Sequence, residues 1–230
     1  MANLNYLTDC KLTEQAQHSR KTVLLFGIPI GLVCFFIFPP AWWVIALILL
    51  FKYWEAGETF RAGAKGEQIA LAELSKLPDS YTVFNQVLVP RPNSNKNTEI
   101  DFVVVGENGI FIVEVKHNNS KIYGQETGDW TVHKIGQKGT RYTTKMRNPI
   151  KQLKGQIWAL SDHLKKHNQG TWIEGMVFLS NRSSKFKFDG TPSVKIIKNS
   201  GIAEHILNHS AKRPLTNKSQ IESIINQLKS

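Results

Sequence analysis

The chain has 230 residues and a formal charge of +11, with 29 Lys+Arg against 18 Asp+Glu, so it holds one sizeable domain and an appendage. Its two cysteines, Cys10 in a polar leader and Cys34 in an apolar run, exclude a disulfide framework and a cysteine-based zinc site. The charges cancel within residues 1–60, so the whole basic excess lies in residues 61–230. That balance suits a polyanion or an anionic membrane face, and equally a generic solubilising surface.

Residues 1–20 read as the polar leader, and "VLLFGIPIGLVCFFIFPPAWWVIALILLF", residues 23–51, follows without a single charge. As one straight helix this run would reach about 43 Å, well past a hydrocarbon core of roughly 30 Å. Pro39-Pro40 would also break such a helix. The pattern predicts a membrane segment over 21–56, a helical hairpin with arms at about 21–38 and 41–54 and the lipid bilayer as partner. Arg20 and Lys21 flank one end and Lys52, Arg61 and Lys65 the other. By the positive-inside rule both ends are then cytoplasmic. A single kinked, tilted span would put them on opposite sides, and the pattern accommodates either. A cleaved signal peptide is disfavoured by Asp9 and Glu14 in the leader and by the want of a clean small-residue cleavage site.

Beyond this block the apolar spacing of Ile69, Leu71, Ala72, Leu74 and Leu77 predicts a helix from about Ala64 to Lys76, ended by Pro78. "YTVFNQVLV" (81–89) alternates and is rich in β-branched residues, which predicts a strand. After the polar loop 91–98, "EIDFVVVGENGIFIVEVK" (99–116) predicts a hairpin with strands at about 100–105 and 110–116. "DWTVHKI" (129–135) predicts a further strand, and "GQKGTRYTTKMR" a basic, Gly-containing connection. Residues 148–167 give the clearest helix: Asn148 is a good N-cap, Pro149 suits the first position, and Ile150, Leu153, Ile157, Leu160 and Leu164 form one stripe. "WIEGMVFLS" (172–180) and "SVKII" (193–197) predict buried strands, and "IAEHIL" and "SQIESIINQL" short closing helices. The expected fold class is α/β, an α+β mixed sheet with helices packed on it.

The hairpin carries the chemistry. Side chains alternate along a strand, so Glu114 and Lys116 project from one face, and the start of the first strand brings Asp101 beside them. Two carboxylates and an ammonium group then meet at one end of a sheet. Such a set makes either a cross-strand ion-pair network or a site for phosphodiester hydrolysis. In the second case the carboxylates hold Mg²⁺ or Mn²⁺, with the Val115 carbonyl as a further ligand. The lysine would offset charge developing on phosphorus. Lys145, Arg147, Lys151 and Lys154 cluster at the start of the long helix, where they could contact the phosphates of a nucleic acid backbone or simply face solvent.

"GAKGEQIALAEL", "EIDFVVVGENGIFIVEVK", "GDW" and "NPIKQLKGQ", in this order, resemble the nuclease-related domain (NERD) family of the PD-(D/E)xK, restriction-endonuclease-like superfamily. The resemblance covers residues 62–168, with 169–230 completing the domain. It implies an αβββαβ core and a metal-dependent nuclease site. DNA is the expected substrate, and since nothing in the chain reads as base-specific recognition, backbone contacts are expected. Asp101 and Glu114 would be the metal-binding carboxylates and Lys116 the catalytic lysine. Glu67 matches the family's Gly-Glu as an accessory acid, and Gln152 would reach the site from the long helix. His117 reads as a strand-end polar residue. A nuclease at the inner membrane, facing the cytoplasm, would meet foreign DNA entering through the envelope. It would act alone or as a homo-oligomer. The alternative is a catalytically silent nuclease fold that binds nucleic acid or a protein partner at the membrane.

Overall fold

A computed structural model describes residues 3–4, 25, 40–135, 139–210 and 215–228. The chain divides into two units, Thr8–Lys65 and a second made of Met1–Leu7 with Gly66–Ser230. In chain order the strands are β1 (Asn3–Leu4), β2 (Thr82–Pro90), β3 (Asn97–Gly106), β4 (Gly109–Lys116), β5 (Lys121–Gly124), β6 (Trp130–Ile135), β7 (Arg141–Met146), β8 (Ile173–Leu179), β9 (Lys185–Phe188) and β10 (Lys195–Lys198). The helices are α1 (Pro40–Leu74), α2 (Pro149–Lys166), α3 (Ile202–Leu207) and α4 (Lys218–Gln227).

Helix α1 differs from expectation. Its residues up to Leu74 run without a break through the predicted second membrane arm (41–54), the intervening residues and most of the helix expected from Ala64. The physical reason is visible in the sequence. No proline follows Pro40 before Leu74, and Gly57 and Gly63 each cost a helix only about 1 kcal/mol. The predicted first arm, 21–38, lies outside the described residues. Among the described residues no helix is long and apolar enough to cross a membrane, so the two-armed anchor has no support there.

The second unit is a mixed α/β fold with two sheets. The larger has the order β1-β2-β3-β4-β8-β10. β2, β3 and β4 are antiparallel neighbours, while β8 lies parallel to β4 and β10 parallel to β8. Its central strands are apolar on both faces, as a sheet covered on both sides requires. One face packs Val103, Val105, Ile112 and Val177 against Leu153, Leu160 and Leu164 of α2 and Ile221 and Ile225 of α4. The other packs Phe102, Val104, Phe111 and Phe178 against Ala70 and Leu74 of α1 and Ile202 and Ile206 of α3.

The smaller sheet, β7-β6-β5-β9, was not anticipated, since only β6 among its strands was predicted. β5 and β9 have four residues each, and β7, "RYTTKM", buries neither of its faces fully, so no apolar alternation marks them. Trp130 anchors this sheet: it is fully buried, stacks at 5.3 Å on Phe186, and donates its indole N–H to the Gln125 carbonyl at 2.9 Å.

Candidate active site

β3 and β4 leave their turn at Gly106↔Gly109 and pair as far as Phe102↔Val113. Asp101 and Glu114 come next, and there the pairing changes character. Instead of a backbone carbonyl, the Asp101 side chain accepts the Val115 N–H, at 2.7 Å to Oδ2. β4 stays aligned on its other edge, with Glu114, Val115 and Lys116 beside Val177, Phe178 and Leu179 of β8. The fork between β3 and β4 is thus opened by a carboxylate and held rigid by a buried neighbouring strand.

Glu114 is completely buried. A carboxylate in that position is tolerable only with strong partners. Its Oε1 accepts from Lys116 Nζ at 2.5 Å and its Oε2 from Gln156 Nε2 at 2.7 Å. Lys116 remains 23 % exposed, so its ammonium group joins the buried carboxylate to the surface. The same Nζ lies 3.3 Å from Gln152 Oε1. Gln152 and Gln156 stand four residues apart, one turn of α2, and both face the strand pair. α2 is placed by its cap: Asn148 Oδ1 accepts from Ile150 N at 2.9 Å and Lys151 N at 3.3 Å.

Gln156 also donates to the Glu99 carbonyl, at 2.9 Å. Both neighbours of Nε2 are acceptors, which fixes the amide's orientation. Its buried Oε1 has no hydrogen-bond partner among the described residues. Gln156 was not singled out from the sequence. Its signal was position: three residues after Leu153 and four before Leu160, a glutamine falls on the apolar side of α2 and must find a partner there.

Glu67 approaches from α1, buried, and accepts from Gln86 Nε2 at 2.9 Å. Gln86 stands opposite Asp101, between the pairs Asn85↔Phe102 and Val87↔Ile100. Its φ of +52° puts a non-glycine residue in the left-handed region, a strain of about 1–3 kcal/mol held by the surrounding sheet. Nothing in the alternating "YTVFNQVLV" foretold it. Helix α1 comes this close because Gly66 has no side chain: a Cβ there would lie 2.7 Å from His117 Cβ. His117 itself is tied to the end of β8, with Nδ1 2.9 Å from Ser180 Oγ and Nε2 3.3 Å from Asn181 Nδ2.

The electrostatics follow from this crowding. Burial, followed by the negative charge of Glu114, pushes the Asp101 carboxyl well above the usual range. The Val115 N–H and the Lys116 ammonium oppose that rise, and Glu67 adds to it. Asp101 thus sits in a poorly solvated space beside the negative charges of Glu114 and Glu67, with the Lys116 ammonium as a counter-charge.

Among the described residues no group of three or more His, Cys, Asp or Glu side chains could cage a metal ion. Two hard carboxylates, Asp101 and Glu114, fit instead an ion such as Mg²⁺ or Mn²⁺, which keeps waters and takes substrate phosphates as ligands. The basic residues at the start of α2 are less closely engaged. Lys145, Arg147, Lys151 and Lys154 are exposed, and Lys154 Nζ pairs with Glu126 Oε1 at 2.7 Å. None of them bonds to the carboxylates of the site among the described residues.

A family model, the nuclease-related domain, matches residues 62–180. An uncharacterized protein of Bacillus anthracis is 32 % identical over 103 residues, covering 44 % of this chain and 48 % of that protein. The chain thus spans about half the length of this curated relative. No solved structure gives a significant match. The family match takes in slightly more than half the chain and the whole carboxylate–lysine fork, and on that ground the chain belongs to the nuclease-related domain family, a PD-(D/E)xK-like nuclease domain.

Proposed function

We propose that this protein is a Mg²⁺- or Mn²⁺-dependent nuclease that hydrolyses DNA phosphodiester bonds, with Asp101 and Glu114 as metal-binding carboxylates and Lys116 as the catalytic lysine. The observation that carries this reading is the fork itself, where Val115 N–H holds Asp101 and Lys116 Nζ holds Glu114 around one buried point. When bound, the ion polarises a phosphoryl oxygen and acidifies a water. Val115 and Gln156 keep the two carboxylates in place, so little reorganisation is needed at the moment of reaction. Gln152 steadies the Lys116 ammonium, which offsets negative charge developing on phosphorus. Glu67, braced by Gln86, adds an anionic wall that favours the cation.

Cleavage of plasmid, linear and single-stranded DNA by the purified chain, with each metal and with EDTA, tests the reading. Asp101→Asn and Lys116→Ala proteins of verified fold should each lose at least about a hundredfold in rate. A folded parent inert with both metals, or activity that survives both substitutions, overturns it.

The uncharged run 23–51 and its basic flanks support attachment to the cytoplasmic membrane, with the nuclease domain in the cytoplasm. There it would meet DNA entering through the envelope. Full release from membranes by a salt wash would sink integral attachment. Equal plasmid and phage entry with and without the gene would sink the role.

A further inference from the structure

The smaller sheet has two unlike faces. One carries Ile122, Trp130, Val132 and Phe186 into the core. On the opposite face the register aligns Lys185, Lys121, His133 and Thr143 in one row across the four strands. The adjacent row is Lys187, Tyr123, Thr131 and Lys145, and Arg141 lies beyond, beside Ile135. None of the four strands contains Asp or Glu. None of these cations makes an ion pair among the described residues.

We propose that this face binds a single strand of nucleic acid and leads it to the Asp101–Glu114–Lys116 fork, an inference that rests on the nuclease reading. Charge complementarity is the first ground. Like charges set in adjacent rows repel one another, and no carboxylate on the sheet relieves them. A polyanion does so and releases its own counterions.

Exposed rings are the second ground. Tyr123 is 42 % exposed and meets the His133 ring edge-on at 5.0 Å, in the middle of the cationic rows. Tyr123 and His133 line a shallow concavity of about 710 Å³ together with Lys121 and Lys185 of the same face. Ring faces framed by lysines suit unpaired bases, which stack on them irrespective of sequence. A duplex keeps its bases stacked on each other and has no use for them.

Position is the third. The concavity begins at Asn119 and Ser120, and Asn119 follows Lys116 by three residues, a reach of at most about 11 Å. A strand lying in it therefore ends close to the lysine of the fork.

The test is fluorescence anisotropy of an oligothymidine of about 30 nucleotides with the full purified chain in non-ionic detergent and EDTA, which separates binding from cleavage. The parent should bind with log affinity falling linearly against log salt. Lys185→Gln combined with Lys187→Gln should weaken binding about tenfold and flatten that slope by about 1.4, two single-strand phosphate contacts. Tyr123→Ala should lose about tenfold, and Tyr123→Phe should restore it. These side chains are exposed, and circular dichroism verifies each fold. The proposal is overturned if the lysine pair changes affinity less than twofold. It is equally overturned if a duplex binds as well with Tyr123→Ala silent, or if phosphatidylserine vesicles bind and the oligonucleotide does not. Binding without metal-dependent cleavage by the parent would sink the nuclease reading and leave the platform standing.

Discussion

The Asp101 carboxylate accepts the backbone N–H of Val115 at 2.7 Å, where β3 and β4 would otherwise continue their ladder. One bond does two things. It satisfies a strand N–H that has lost its β3 partner, and it fixes a carboxylate beside Glu114, whose charge it must tolerate. An aspartate so placed is costly to ionise without a cation, so the geometry that suits metal binding also weakens the metal-free fold.

Asp101→Asn should therefore stabilise the metal-free protein at neutral pH. The native carboxyl titrates above its unfolded value of about 3.9, so the folded state keeps its proton longer than the unfolded chain. The stability it contributes is complete below about pH 4 and is lost as pH rises through the raised native value. The asparagine keeps an oxygen for Val115 N–H and has no such loss. Melting curves in EDTA from pH 4 to about 8 should show the parent falling relative to the variant. Added Mg²⁺ should raise the parent's midpoint and not the variant's. A parent more stable than Asp101→Asn at pH 7 in EDTA would refute the claim.

Gln156→Met keeps nearly the length of the unbranched side chain and removes its amide atoms. It leaves the Glu99 carbonyl and one oxygen of the buried Glu114 without their donor. Loss of a bond to a buried charge should cost about 2–3 kcal/mol, moderated by removal of the unpartnered Oε1. Urea unfolding measures it, and a neutral result would mean water already serves Glu114.

How legible was this site beforehand? Asp101, Glu114 and Lys116 could be brought together from a period of two and a hairpin turn alone, because the start of one hairpin strand lies beside the end of the other whatever the precise register. Gln86 could not, since its left-handed φ is set by what crowds around it and by no feature of its own segment. Gln156 left only a weak trace, as a polar residue on an apolar side. The missed strands β5, β7 and β9 are short, and their solvent face is nearly all polar, so sheet pairing rather than sequence pattern defines them. The continuity of α1 escaped because apolar-to-polar composition suggested a boundary where the backbone has no reason to stop.

Asn148 ties the long helix to the turn before β6. Its Oδ1 caps α2, while its Nδ2 lies within 3.1 Å of the carbonyls of Gln125, Glu126 and Gly128. Asn148→Ala should lose about 1–2 kcal/mol, the cap together with the part-buried bonds to these carbonyls. Asp is ordinarily as good a cap as Asn. Here Asn148→Asp should do no better than alanine, because its second oxygen would face three carbonyls. Near-parental stability of Asn148→Asp in urea would show that the cap alone matters.

Gly66→Ala pits propensity against sterics. Alanine favours a helix by about 0.8–1 kcal/mol over glycine. The new Cβ, however, would lie 2.7 Å from His117 Cβ and 3.2 Å from Ser180 Oγ, and a β-carbon moves only with its backbone. The clash should win, with a net loss of about 1–2 kcal/mol and weaker metal-dependent cleavage as Glu67 is pushed from the fork. A stabilised Gly66→Ala protein would mean that α1 has slack against β4.

Glu126 offers a pH signature remote from the fork. The Lys154 ammonium hydrogen bond, followed by the Ser193 hydroxyl and N–H, holds its carboxyl down to about 2. Its native value lies below the unfolded value of about 4.3, so the stability it contributes is present above that pH and vanishes as pH falls towards 2. The pair is well exposed, Lys154 by 53 % and Glu126 by 35 %, so solvent screening limits the gain to about 0.5–1 kcal/mol. Glu126→Gln should therefore trail the parent by that amount in urea at pH 7 and match it near pH 2. Molar salt at pH 7 should also narrow the gap. A deficit that stays constant with pH and salt would assign the stabilisation to the neutral contacts with Ser193 instead of the charge on Glu126.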